Sequence, residues 1–240
     1  MQYSWDWGIL IENPYLGWIL TGLHWTMVVS ILAWVIAFTI GSVVGVARTS
    51  TNKVVYRLAT IYVEIFRNIP LLVQMFLWYF VLPEVVPEEI GTWLKRGMPL
   101  PEMWTSVVCL GTYTGARVAE QVRSGINSIS LGQRQAALAV GLRPSQVYKY
   151  VLLPTAYRII IPPLTSDFLG VFKNSSLGLT IGLLELTAQT RQVSEYTFQS
   201  FEAFTAATAL YVSITFIVMK IMSVVERRTA VPGLISLEAK

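Results

Sequence analysis

The chain has 240 residues, of which 54% are hydrophobic and only 13% charged, about half the roughly 25% charged share of a soluble domain. That excludes an ordinary cytoplasmic enzyme and predicts an all-α polytopic membrane protein. The net charge is +4, but the 18 Lys and Arg are scattered among apolar stretches and form no basic face, so nucleic acid is not an expected partner. The single cysteine, Cys109, excludes an intrachain disulfide and a cysteine metal cage; no metal or cofactor is expected.

Residues 1–14 carry Asp6 and Glu12 without Lys or Arg, unlike the basic start of a signal peptide, so the first span is expected to be retained. With Tyr3, Trp5 and Trp7 this segment is expected at headgroup depth. Between His24 and Arg48 stand 23 uncharged residues, which at about 1.5 Å each cover about 35 Å, enough for a hydrocarbon core of about 30 Å. They form the first of five predicted spans, at 17–47, in which Gly41 and Gly45 are a small pair that admits another backbone. The second span, 58–82, ends at Pro83. Residues 83–103 hold four prolines and four glutamates and read as a loop with a short interfacial helix. The third span, 104–123, contains Arg117 and Glu120. The fourth, about 159–184, opens after Pro162 and Pro163 and carries Asp167 and Lys173. The fifth, 203–225, stops at Glu226-Arg227-Arg228, leaving 229–240 as a tail.

An odd number of spans puts the termini on opposite sides, and Lys and Arg decide which is which. One side receives Arg48, Lys53, Arg57, Arg123, Arg134, Arg143, Lys149, Arg158, Lys220, Arg227, Arg228 and Lys240; the other receives Lys95, Arg96 and Arg191. The amino terminus is therefore expected outside and the carboxyl terminus in the cytoplasm. Arg67, Arg117 and Lys173 remain within or at the edge of spans, where a cation costs about 2.5 to 3.5 kcal/mol without a partner. Glu64 is placed to pair with Arg67, and Glu120 with Arg117, each at i, i+3. Lys173 has no acid at such spacing. With Asn174, Ser175 and Ser176 it must face protein, water or an anionic ligand.

The cytoplasmic segment 124–158 is too long for a bare connection and carries helical signals of its own. Ser130 and Gln133 form an S-x-x-Q capping box ahead of Gln135, Ala136 and Ala137, and Gly141 suits the residue that ends that helix. Pro144 suits the first turn of a second short helix, which Pro154 is expected to stop.

The stretch GQRQAALAVGLRPSQVYKYVLLPTAYRIIIPPL, from Gly132 to Leu164, resembles the EAA loop of ABC-importer permeases, with the polar amino acid family as the nearest pattern. GLHWTMVVS, ARTS, YVEIFRNIPLLVQMFLWYF and FKNSSLGLTIGLLELT extend the likeness from about Gly17 to Arg228. Gln135 departs from it, standing where the family usually has Glu. The resemblance implies a single permease domain at 15–228 in a multi-pass bacterial inner-membrane protein. It implies a solute-binding protein outside and a dimer of ATP-binding subunits inside, seated against Gln135, Ala136, Ala137, Gly141, Leu153 and Pro154. A second permease subunit completes the path, with a heterodimer favoured over a homodimer. The chain contains no G-x-x-x-x-G-K-[ST] loop, so hydrolysis is expected on a partner and this subunit is not an enzyme.

YTGARVAEQVR looks most like the glutamate/aspartate permeases within this family. A guanidinium can hold a carboxylate through two parallel hydrogen bonds, and an acidic amino acid presents two carboxylates. The residues expected along the substrate path are Arg117, Lys173, Asn174, Ser175 and Arg67. A permease for glutamine, histidine or arginine is the alternative. A secondary transporter fits less well, since five unlike spans show no internal repeat.

Overall fold

The computed structural model describes residues 3–229; of the expected tail, residues 230–240 lie outside the described residues. Among the described residues the secondary structure is helical, without strands. A short 3-10 turn, Trp7–Leu10, precedes α1 (Tyr15–Ala47). Then come α2 (Lys53–Asn68), α3 (Leu71–Phe76), α4 (Leu82–Val85), α5 (Glu88–Thr92) and α6 (Pro101–Asn127). The loop region forms α7 (Leu131–Ala139) and α8 (Pro144–Val147), followed by α9 (Leu153–Asn174), α10 (Leu186–Thr197) and α11 (Ser200–Thr229).

By length and composition α1 and α11 can each cross a membrane alone, and Lys53–Asn68 with Leu71–Val85 qualify only as a pair. The predicted second span is therefore broken. Pro70 offers no N–H to continue α2 and disfavours helical backbone at Ile69 before it, so the helix stops at Asn68 and restarts at Leu71. Pro83 does not end the run either, because it lies at the start of α4, after a π turn at Leu77–Val81. Helices α6 and α9 fall short of the crossing criterion, and they carry the polar groups described below.

The chain forms two compact units. The first comprises the residues up to Ile36 with Ile69–Thr112 and Leu169–Ile217. Its core joins Ile9, Ile19, Leu186, Val193, Ala203 and Ala207. Glu185, fully buried, caps α10 by accepting from the Thr187 and Ala188 backbone N–H groups, each at 2.9 Å. The Tyr211 hydroxyl donates to the same carboxylate at 2.9 Å, which ties α10 to α11. The aromatic lead-in folds onto the start of α11. Tyr3 donates to the buried Glu202 at 2.5 Å, the Asp6 backbone N–H donates to it at 2.9 Å, and Trp5 packs edge-on against Phe201.

Among the described residues the second unit comprises Ala37–Asn68, Tyr113–Phe168 and those from Val218 to Thr229. Here the glycine pair does what its spacing predicts, since α1 lies directly on α6. A Cβ added at Gly41 would sit 2.5 Å from Val118 Cβ, and one at Gly45 would sit 2.6 Å from Val122 Cβ. Both contacts are impossible for a larger residue without moving a backbone.

Two proline readings are corrected. Pro162 and Pro163 lie inside α9 instead of opening it, and Pro154 lies in its first turn instead of stopping a helix. A π turn at Tyr148–Leu152 carries the chain from α8 into α9, its wider register ending with the Leu153 N–H on the Tyr148 carbonyl. That register relaxes the ladder just where Pro154 has no N–H to give. Inside a helix bundle, neighbouring side chains make such prolines tolerable. Gln121 on α6 donates to the Pro163 carbonyl at 3.4 Å.

Candidate functional site

Arg117 on α6 finds its partner across helices, and Glu120 draws partners from two other helices besides its own. Arg117 Nε donates to Asp167 Oδ1 on α9 at 2.7 Å. Gln121, one turn further along α6, donates to the other oxygen, Asp167 Oδ2. The Asp167 side chain is 4% exposed and that of Arg117 52% exposed, so the acid is interior and the guanidinium reaches outward. The expected Arg117–Glu120 pair is replaced by this one. Arg117 stands ten residues, about 15 Å, before the end of α6 at Asn127.

Glu120 instead gathers three guanidinium groups. Arg48, at the end of α1, and Arg123, one turn along α6, both bond to it, and Arg67 at the end of α2 lies 3.6 Å away. The expected Glu64–Arg67 pair does not form; Glu64 accepts from Asn68 at 3.1 Å. A helical i, i+3 spacing makes contact possible, but an acid with two free oxygens goes to the nearest desolvated cations. Arg48 is the most buried of the three, its side chain 7% exposed. Beside Glu120 and Gln121 opens a cavity of about 390 Å³, lined also by Ser124, Ser128, Ile159 and Pro163.

In the first unit, α9 ends at Lys173-Asn174 and passes into a 3-10 turn, Ser175–Ile181, closed by Gly182 at φ +93°. The hydroxyl of the buried Ser175 donates back to the Phe172 carbonyl at 2.8 Å, and Ser176 donates to that of Lys173 at 2.7 Å. These serines satisfy carbonyls that a helix end leaves free. Lys173 is exposed and makes no ion pair among the described residues. A further cavity of about 320 Å³ in this unit is lined by Trp78, Tyr79, Met98, Trp104 and the Lys95–Glu84 ion pair.

The loop residues form an exposed platform. Gly141 has φ +87°, its N–H meets the Leu138 carbonyl at 3.0 Å, and the Leu142 N–H meets that of Ala137 at 3.2 Å. This is the glycine-terminated helix end its position predicts. The Ser130 side chain makes no capping bond, in contrast to the expected box; the Gln133 N–H goes to the Ser130 carbonyl instead. The capping arrangement occurs at α8, where the Arg143 N–H donates to Gln146 Oε1 at 2.8 Å. Gln135, Ala136, Gly141 and Pro154 are exposed, Leu153 is half-buried and Ala137 is buried. Around them Leu131 and Val140 stand 74% and 78% exposed, leaving an apolar surface that the other described residues do not cover.

Among the described residues no cluster of His, Cys, Asp or Glu is placed to hold a metal ion. Arg48, Arg123 and Gln121 are contributors that sequence reasoning passed over. Asp167 carried the one legible signal, an acid in an apolar span with no cation one turn away.

Residues 37–231 match the family described as "Binding-protein-dependent transport system inner membrane component". The chain is 46% identical over 241 residues to the glutamate/aspartate import permease protein GltJ of Escherichia coli K12, with 97% of this chain and 98% of that protein covered. It is 38% identical to the probable glutamine ABC transporter permease protein GlnM of Bacillus subtilis, with 73% and 76% covered. Among solved structures it resembles a crystal structure of an amino acid ABC transporter with histidines. That match has a TM-score of 0.78 and 29% identity, and covers 94% of this chain and all of the other.

Proposed function

Because the chain belongs to the family of inner membrane components of binding-protein-dependent transport systems, we propose that it is the permease subunit of an ATP-driven importer that carries glutamate and aspartate. The observation that carries the substrate class is the near-full-length identity of 46% to a glutamate/aspartate import permease. The geometry agrees with it: Arg117 reaches outward from the Asp167 anchor, and Lys173 has no ion pair among the described residues. Both groups suit carboxylates.

The arrangement divides the work among subunits. A solute-binding protein delivers the amino acid outside, and a pair of permeases passes it on, two different permeases being the favoured pairing. Five spans per permease, with the amino terminus outside and the carboxyl terminus in the cytoplasm of a bacterium, form one domain from 15 to 228. An ATP-binding dimer grips the loop at Gln135, Ala136, Gly141 and Pro154, with the buried Ala137 setting the helix on its support and Leu153 leading into α9. Because α8 runs through the π turn into α9, a push on the loop moves the helix that carries Asp167 and Lys173. Arg117, Lys173, Asn174 and Ser175 contact substrate; Arg67, held by Glu120, lies toward its exit. Uptake of glutamate into vesicles holding the assembled importer tests these assignments. Arg117→Ala and Lys173→Ala should each reduce it strongly, and transport at the unaltered rate would remove the residue concerned from the path.

A further inference from the structure

We propose that Asp167 is the positioning residue for Arg117, a role that rests on the reading of Arg117 as a substrate contact. A guanidinium is a planar fork with five N–H donors, and an acid that engages the Nε edge leaves the Nη1 and Nη2 end free for a second carboxylate. Asp167 takes the Nε edge, at 2.7 Å. It is fixed in turn, because Gln121 donates to its other oxygen and itself reaches the Pro163 carbonyl on α9. Arg117 and Gln121 are four residues apart on α6 and grip one carboxylate from successive turns. With both oxygens occupied and its side chain 4% exposed, Asp167 does not meet the substrate. It acts through Arg117.

Two consequences follow from this arrangement. The counter-charge lowers the cost of keeping a guanidinium away from bulk water before substrate arrives. The lock on Nε also sets the direction of the fork, and bidentate recognition depends on that direction more than on charge alone.

The test is equilibrium binding of labelled glutamate to the purified complete importer without its binding protein. Asp167→Asn keeps the shape and one acceptor but removes the charge and sets an amide donor against Gln121. It should raise the dissociation constant about tenfold or more, with the number of sites per complex unchanged. Gln121→Ala, which frees one oxygen of Asp167 without touching the ion pair, should raise it in the same direction by less, and decides the matter if the Asn variant does not assemble. A fall in the number of sites at an unaltered constant would show that Asp167 only holds α6 on α9, and no change in either quantity would overturn the proposal outright. Arg117→Ala separates the two levels. Unaltered glutamate binding in that variant removes the substrate contact itself, whereas lost binding there combined with an unaltered constant in Asp167→Asn removes the positioning role alone.

Discussion

Arg67 lies 3.6 Å from Glu120 on α6, although Glu64 stands one turn before it on its own helix. Glu120 thereby serves Arg48, Arg67 and Arg123 together and joins the ends of α1 and α2 to α6. Replacing it with Gln strands the nearly buried Arg48. The expected loss is about 2 kcal/mol, less than for a fully interior pair because Glu120 remains a quarter exposed. A lowered melting temperature of the purified complex, with Glu64→Gln at the wild-type value, checks it.

The contact of α1 with α6 leaves no room for side chains at Gly41 and Gly45. Gly45→Leu should overpack the contact with Val122 and Ala119, costing about 1 to 3 kcal/mol. Gly17 on the same helix has nothing within 4 Å of an added Cβ, so Gly17→Ala should be neutral or stabilising. Equal melting temperatures for the two variants would contradict the packing described.

Gly141 ends α7 with a left-handed backbone, where a β-branched side chain costs about 1 to 2 kcal/mol. Gly141→Val should therefore reshape the platform and lose the ATP-binding subunit on affinity purification. Gly132→Ala, which meets nothing within 4 Å, should retain it. Retention by both would mean that the ATPase docks elsewhere.

What could be read from the residues alone follows from the range of the forces involved. Helices α1 and α11 announce themselves as long apolar runs, and Gly141 and the Gly41–Gly45 pair act at distances of a turn or less. The i, i+3 spacing describes one helix and does find contacts of the Glu120–Arg123 kind, but it cannot show that Asp167 takes Arg117 from α6 or that Glu120 also takes Arg48 and Arg67 from elsewhere. Pro154 reads as a break because the π turn before it is invisible in one dimension, and Pro162 and Pro163 read as a start although α9 carries both inside it. Ser130 keeps no side-chain cap, and only half of such a box is found at α8, where Gln146 accepts from the Arg143 N–H and Pro144 presets the first turn.

Glu185 offers a prediction of another kind, since it is buried, caps α10 and accepts from Tyr211. Glu185→Ala should cost about 2 kcal/mol through the lost cap and the lost bond from Tyr211, whose hydroxyl keeps Thr187 at 3.0 Å. Tyr211→Phe should cost less, about 1 kcal/mol, because the backbone donors keep the carboxylate paired. Thermal unfolding of the complex ranks them, and the reverse order would show that the carboxylate is not held chiefly by the helix cap.

The most direct measurement is ATP-dependent uptake of labelled glutamate by vesicles containing the assembled importer and its binding protein, in competition with unlabelled amino acids. Glutamate should enter, excess aspartate should suppress its entry, and excess glutamine or arginine should leave it intact. Uptake of glutamine or arginine with glutamate ignored would contradict the assignment of this permease to acidic amino acids.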